Sequence, residues 1–207
     1  MVKIRWLGHA CYEISYGDFT LITDPYEDES VPGLAALRLR ADGVYCSHGH
    51  HDHNYTAAVS LSGRAAPADF SVEEFSSAHD DCGGVKRGMN TVRIFRFGDT
   101  RVAHLGDLGE YPSAEILAAL RGVDALLIPI GGFYTIDSAT AKRIVAETAP
   151  RCVLPMHYRS ERFGFDVLQE LADFTDAPVR AESEVTLPAA GVIALTPAMV
   201  IYKSCTA

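Results

Sequence analysis

Apolar and polar positions alternate from the first residues of the chain. Val2, Ile4 and Trp6 are separated by Lys3 and Arg5, and Tyr12, Ile14 and Tyr16 by Glu13 and Ser15. A period of two is what a half-buried strand requires, so residues 2–7 and 11–16 are read as strands. The pair Gly17–Asp18 turns the chain tightly into a third, "FTLITDP". A polar stretch from Pro25 to Gly33 reads as a loop, and "GVYCS" at 43–47 as a short strand. Residues 54–62 are expected to form a short helix capped by Asp52 or Asn54.

Further along, "DFSVEEFSS" at 69–77 reads as a strand. "TVRIFRFGDTRVAHLGD" at 91–107 reads as a second hairpin on a Gly-Asp turn. The period then lengthens: "SAEILAALRG" places Ile116, Leu117 and Leu120 on one helical face, with Gly122 as a stop. The continuous apolar run "DALLIPI" at 124–130 predicts a fully buried strand. "DSATAKRIVAETAP" predicts a helix capped by Asp137 and ended by Pro150. "CVLPM" at 152–156 is a further buried strand, "FDVLQELADF" at 165–174 a helix, and "GVIALTPAMVIYK" at 191–203 a set of closing strands.

"YGDFTLITD" and "FGDTRVAHLGD" echo each other as hairpin, strand and terminal aspartate. Hairpins followed by strand–helix alternation point to two mixed sheets with helices outside. No low-complexity linker interrupts the 207 residues, so one domain over 1–207 is expected.

Composition narrows the class. A hydrophobic fraction of 48% with 22% charged residues is that of an ordinary globular chain. The 18 basic and 27 acidic side chains leave a net charge of −9, which argues against nucleic acid as a partner. The alternating N-terminus lacks the apolar core of a signal peptide, and no run approaches the roughly eighteen apolar residues of a membrane span. A cytoplasmic protein without membrane contact is the expectation. Cys11, Cys46, Cys82, Cys152 and Cys205 are scattered without a C-x-x-C, as reduced thiols mostly buried in strands would be.

The chemistry concentrates in "SHGHHDH", which holds His48, His50, His51, Asp52 and His53. Imidazole nitrogen and carboxylate oxygen suit zinc, iron or manganese. His48 and His50 lie two apart, so an extended backbone points both the same way. Asp52 and His53 are adjacent, and a turn would aim both at a neighbouring point. The run therefore offers two half-sites, each short of ligands. His79, Asp107 and His157 all follow expected strands, where a sheet scaffold places chemistry. A purification tag would lie at a terminus and lack these partners.

H-x-H-x-D-H, a lone His, a "GD" and a strand ending in His together resemble the metallo-β-lactamase superfamily. "GHACYEI", "LITDP", "SHGHHDH", "LGDL", "IPIGGFYTID" and "LPMHY" resemble its branch that includes the ascorbate-6-phosphate lactonases, over roughly residues 1–160. The resemblance implies an α+β fold, a four-layer αββα sandwich. It also implies two divalent metal ions, zinc foremost, with manganese or iron as alternatives. His48, His50 and His79 would bind the first, Asp52, His53 and His157 the second, and Asp107 would bridge them. Asp24 would support a ligand without binding metal. Metals of this kind lower the pKa of bound water to about 7, so a bridging hydroxide is available as the nucleophile, with Asp52 orienting it.

Around that centre, His9 in "LGHA", Tyr158 and Tyr134 are candidates to meet substrate or to support a ligand. Lys86 and Arg87 in "GGVKRG" are weighed as an anion-reading flap against a solvated charged loop, and the solvated loop is preferred. His51 is expected to be exposed, His104 to be a satisfied core histidine, and Cys82 not to be a ligand. No G-x-S-x-G, P-loop, G-x-G-x-x-G or H-E-x-x-H is present. The expected function is hydrolysis of a small, anionic ester, lactone or phosphoester. Phosphodiesterase or nuclease action on the same metals is the alternative, and a non-catalytic metal-binding or sensing protein the second. The sequence leaves the oligomeric state open.

Overall fold

The computed structural model describes residues 1–201. Strands β1 (Val2–Gly8), β2 (Cys11–Tyr16) and β3 (Phe19–Thr23) form where the alternation runs. They form one antiparallel meander in which Ile4 faces Ile14 and Trp6 faces Tyr12. Short strands β4 (Leu39–Ala41) and β5 (Gly43–Tyr45) follow, then β6 (Val59–Leu61). The second half contains β7 (Phe70–Ala78), β8 (Met89–Phe97), β9 (Thr100–His104), α1 (Ala114–Leu120), β10 (Ala125–Pro129), α2 (Ser138–Thr148) and β11 (Cys152–Met156). It closes with α3 (Leu171–Phe174), β12 (Glu184–Thr186) and β13 (Gly191–Val192).

One sheet has the order β12-β1-β2-β3-β5, the other β13-β11-β10-β9-β8-β7, and β4 pairs with β6 alone. The inner faces of the two large sheets share one apolar core, which includes Ile4, Trp6, Ile14, Phe95, Val102 and Leu127. Aromatic rings meet across it: Phe19 lies 5.0 Å from Phe70 and Tyr45 5.1 Å from Phe95, centroid to centroid. On the opposite face of β1 and β2, Lys3, Arg5, Glu13 and Ser15 remain partly exposed. The helices come from the second half, where α2 packs against β10 and α1 against α2. The α+β sandwich expected from the sequence is therefore present. Asp137 caps α2 by accepting the Thr140 N–H at 2.8 Å, and the helix ends at Ala149, before Pro150, as expected.

Three local expectations give way. Residues 54–62 form a single 3-10 turn at Thr56–Ala58, without a side-chain cap, and then β6. The reason is a partner: β4 offers a parallel ladder to Val59–Leu61, and pairing wins over a short helix. The helix expected over 165–174 starts only at Leu171, because Glu170 and Asp173 form a capping box there. Of the closing strands expected over 191–203, only Gly191–Val192 forms a strand, alongside β11, while Ala194 and Val200 make single bridges to Val179 and Leu34; Tyr202 and Lys203 lie outside the described residues. β12 carried no sequence signal, since three residues define no period.

The topology decides where chemistry can gather. Within the first sheet β1, β3 and β5 run the same way, and within the second β7, β9, β10 and β11 do. His9 follows β1, Asp24 follows β3 and the histidine run follows β5. His79 follows β7, Asp107 lies just past β9, and His157 follows β11.

Candidate metal centre

Asp24 organises the loop after β5. Its Oδ1 accepts the Ser47 backbone N–H at 2.6 Å. Its Oδ2 accepts the Ser47 hydroxyl at 2.6 Å and His53 Nδ1–H at 2.9 Å. With that hydroxyl committed to Asp24, Ser47 Oγ accepts from His48 Nδ1 at 2.9 Å. One fully buried carboxylate thus orients the rings of both His48 and His53 and turns both Nε2 atoms inward.

Those nitrogens converge on Asp107. Its Oδ2 lies 3.2 Å from His53 Nε2, 3.3 Å from His157 Nε2, 3.4 Å from His79 Nε2 and 3.9 Å from His48 Nε2. Asn90, itself buried, holds Asp107 in place by accepting its backbone N–H at 2.9 Å. On one side, His50 Nδ1 lies 3.0 Å from His48 Nε2 and 3.2 Å from His79 Nε2. On the other, Asp52 Oδ2 lies 3.7 Å from His53 Nε2 and accepts from His9 Nε2 at 3.2 Å. His48, His50 and His79 are one set of donors close enough to share an ion, and His9, Asp52, His53 and His157 are another.

Electrostatics keeps most of this cluster ready for a cation. Burial, with His53 nearby, pushes His48 down to about 3, and burial with His157 beside it pushes His9 down to about 4. Burial also lowers His79. These three imidazoles are neutral at pH 7 and carry free lone pairs. His53 differs: burial opposes its charge, but Asp107 and Asp24 outweigh burial and raise it well above the ordinary range. Burial likewise opposes ionisation of Asp107, yet His157 and His53 hold its carboxyl well below the usual range.

The residues fit divalent metal. His53 Nε2, His157 Nε2 and Asp107 Oδ1 are buried and lack a hydrogen-bond partner. Such groups are costly unless something satisfies them, and a cation between them does so for all three. The backbone shows strain at the same place. His9, Asp24 and His157 adopt φ of 55°, 40° and 52°, where side chains cost on the order of 1–3 kcal/mol each.

Of the residues singled out in the sequence, His48, His50, Asp52, His53, His79, Asp107 and His157 come together, with Asp24 and His9 in direct contact with them. Tyr134 lines a cavity of about 360 Å³ above the cluster, with Ser30, His50, His51, Asp52, His79, Arg87, Asp107 and Phe165. Tyr158 does not line it; its ring packs on Trp6 at 5.4 Å and Phe163 at 5.7 Å. His51 is exposed and pairs with Glu27 at 3.1 Å. His104 is buried, bonded to Ala10 O and the Gly106 N–H. Sequence reasoning missed Ser47, Asn90 and Phe165. Ser47 and Asn90 act through side chains that folding brings beside residues distant in the sequence, and Phe165 lies ahead of α3, outside the helix expected to contain it.

Two mixed sheets packed face to face, with imidazoles and carboxylates gathered at the carboxyl ends of strands from both, define the metallo-β-lactamase class of fold. A family profile described as the Beta-lactamase superfamily domain matches residues 3–157. The chain belongs to this superfamily and, within it, to the UPF0173 family. It is 31% identical over 182 residues to a UPF0173 protein of Pyrococcus abyssi, a match covering 76% of this chain and 83% of that relative. It is 27% identical over 204 residues to a UPF0173 metal-dependent hydrolase of Thermoplasma volcanium, covering 81% and 86%. Among solved structures, it resembles a Thermotoga maritima protein assigned as a zinc-dependent hydrolase of the metallo-β-lactamase superfamily. That match has TM-score 0.71 and 24% identity, covering 94% and 98%. The short form of human tRNase Z has the same fold, at TM-score 0.57 and 9% identity, covering 76% and 93%.

Proposed function

We propose that the protein is a metal-dependent hydrolase that holds two divalent metal ions, zinc foremost, and cleaves a small, anionic ester, lactone or phosphoester. The observation that carries this reading is Asp107 Oδ2, a single carboxylate oxygen lying 3.2–3.9 Å from imidazole nitrogens of both donor sets. His48, His50 and His79 hold one ion, Asp52, His53 and His157 the other, and Asp107 lies between. When bound, such a pair supplies Lewis acidity and makes water acidic enough to react at neutral pH. The chain's own residues do the rest. Asp52, held by His9, faces the cavity and would orient the attacking water by accepting a hydrogen bond from it. Tyr134 offers a phenol on the same wall. The cavity's size suits a small molecule, and the −9 net charge argues against nucleic acid. The motif likeness to the ascorbate-6-phosphate lactonases supports a lactone or phosphoester. We further place it as a single domain over 1–207, acting in the cytoplasm.

Elemental analysis of untagged protein purified without chelator tests this first. Two equivalents of metal per chain are expected, with His48→Ala and His157→Ala each losing metal. Turnover of a panel of lactones, p-nitrophenyl esters and bis(p-nitrophenyl) phosphate should fall with it, by more than about a hundredfold. Unchanged metal content and activity in either variant would sink the assignment. Full loading with no turnover across the panel would favour a metal-binding protein instead.

A further inference from the structure

The sequence alone leaves Lys86 and Arg87 together in one charged loop. The fold separates them. Lys86 pairs with Asp81 at 3.0 Å, with both side chains mostly exposed, and does not line the cavity. Arg87 does line it, and among the described residues no other arginine or lysine does.

Its position is built. The buried carboxylate of Asp80 accepts backbone N–H groups from Cys82 and Gly84 on one oxygen and from Lys86 and Arg87 on the other, at 2.8–2.9 Å. The loop is thus wound around one side chain, and it returns to the site where the His79 N–H meets Gly88 O at 3.0 Å. Beyond the backbone, the Arg87 guanidinium sits 5.4 Å from the Tyr134 ring and 5.9 Å from the Phe133 ring. Tyr134 in turn meets Phe165 edge-on at 5.7 Å, and Phe165 meets His9. An aromatic wall therefore runs from the metal cluster to Arg87.

What this arginine lacks is an acceptor. Arg38, Arg93 and Arg159 face carboxylates at 2.7 Å. Among the described residues no carboxylate pairs with Arg87 and no oxygen accepts from its side chain. Stacking on rings orients a guanidinium without using its N–H fork, which stays free for a planar or tetrahedral oxyanion.

We propose that Arg87, fixed against Tyr134 at the cavity wall, binds an oxyanion that the substrate carries away from the bond being cleaved. The body of the substrate lies along Tyr134 and Phe165. The substrate class is then an ester or lactone bearing a separate carboxylate or phosphate. This deepens the hydrolase reading and rests on it.

The test compares p-nitrophenyl hydrogen glutarate, which carries a carboxylate, with the neutral p-nitrophenyl butyrate. Metal-loaded wild type and Arg87→Ala are assayed, with inorganic phosphate titrated calorimetrically into both. Metal content and melting temperature establish that the variant is folded and loaded. Arg87→Ala should lower the ratio of kcat/KM for the half-ester over the butyrate by about tenfold or more, and weaken phosphate binding by about as much, the weight of a charge-assisted hydrogen bond. Arg87→Lys, which keeps the charge but loses the fork, should fall between. An unchanged ratio overturns the proposal. If the metal-loaded wild type turns over neither ester and nothing in the wider panel of lactones and phosphoesters, the hydrolase reading fails. The phosphate titration then decides alone: weaker binding in Arg87→Ala upholds the oxyanion site, and equal affinity overturns it.

Discussion

At the scale of single residues, the site depends on Asp24 more than its place outside the donor sets suggests. It bonds His53 directly and His48 through Ser47, so one carboxylate serves both halves of the centre. Asp24→Ala should therefore weaken metal binding at both, by about 10–100-fold, as loss of a partner behind a metal-ligating histidine does. Competition against a chromogenic chelator measures this, and wild-type affinity in the variant would remove Asp24 from the site. Part of this was legible in the sequence: "LITDP" marks Asp24 as a supporting residue. Its route to His48 was not, because Ser47 is an ordinary serine until folding places its hydroxyl 2.6 Å from a residue 23 positions away. Arg87 shows the same limit, since only the structure distinguishes it from its neighbour Lys86.

At the scale of elements, parallel strands bring distant loops to one rim, and two of those loops pass too close for any side chain between them. A Cβ on Gly131, just past β10, would stand 2.1 Å from His157 O. One on Gly109 would stand 2.2 Å from the backbone joining His79 and Asp80. Gly131→Ala must push the His157 loop away, at a cost of about 1–3 kcal/mol. Urea unfolding should show that loss, and elemental analysis a reduced metal content in the same variant. Wild-type values in both would mean that the rim yields without moving His157. The long elements were readable because several residues state a period: β1, β2, α1 and α2 form where the pattern places them. β4, β6 and β12 span three residues each and exist only because a partner strand is adjacent.

At the scale of the whole molecule, the donors come from both sheets. His9, Asp52 and His53 stand on loops of the first, and His79, Asp107 and His157 on loops of the second, so bound metal ties the halves together. Metal binding is then folding free energy. With metal at a hundredfold over its Kd, it contributes about 2.7 kcal/mol, so chelation should lower the melting temperature by about 5–10 °C for a chain of this size. Adding zinc back should restore it, and a melting temperature indifferent to chelator would contradict a cross-linking centre.

The sequence by itself determined the strands and helices long enough to show a period, the α+β class, and the residue types of the metal cluster, which sit in one short run and at strand ends. Tertiary structure alone decided that His9 joins the second donor set, that Tyr158 turns into the core, that Ser47 and Asn90 brace the centre, and that Arg87 faces the cavity while Lys86 does not. The reason is physical. Periodicity and residue chemistry are local properties, carried by neighbours along the chain. Which lone pairs face one another, and which charge is left without a partner, depends on how two sheets pack.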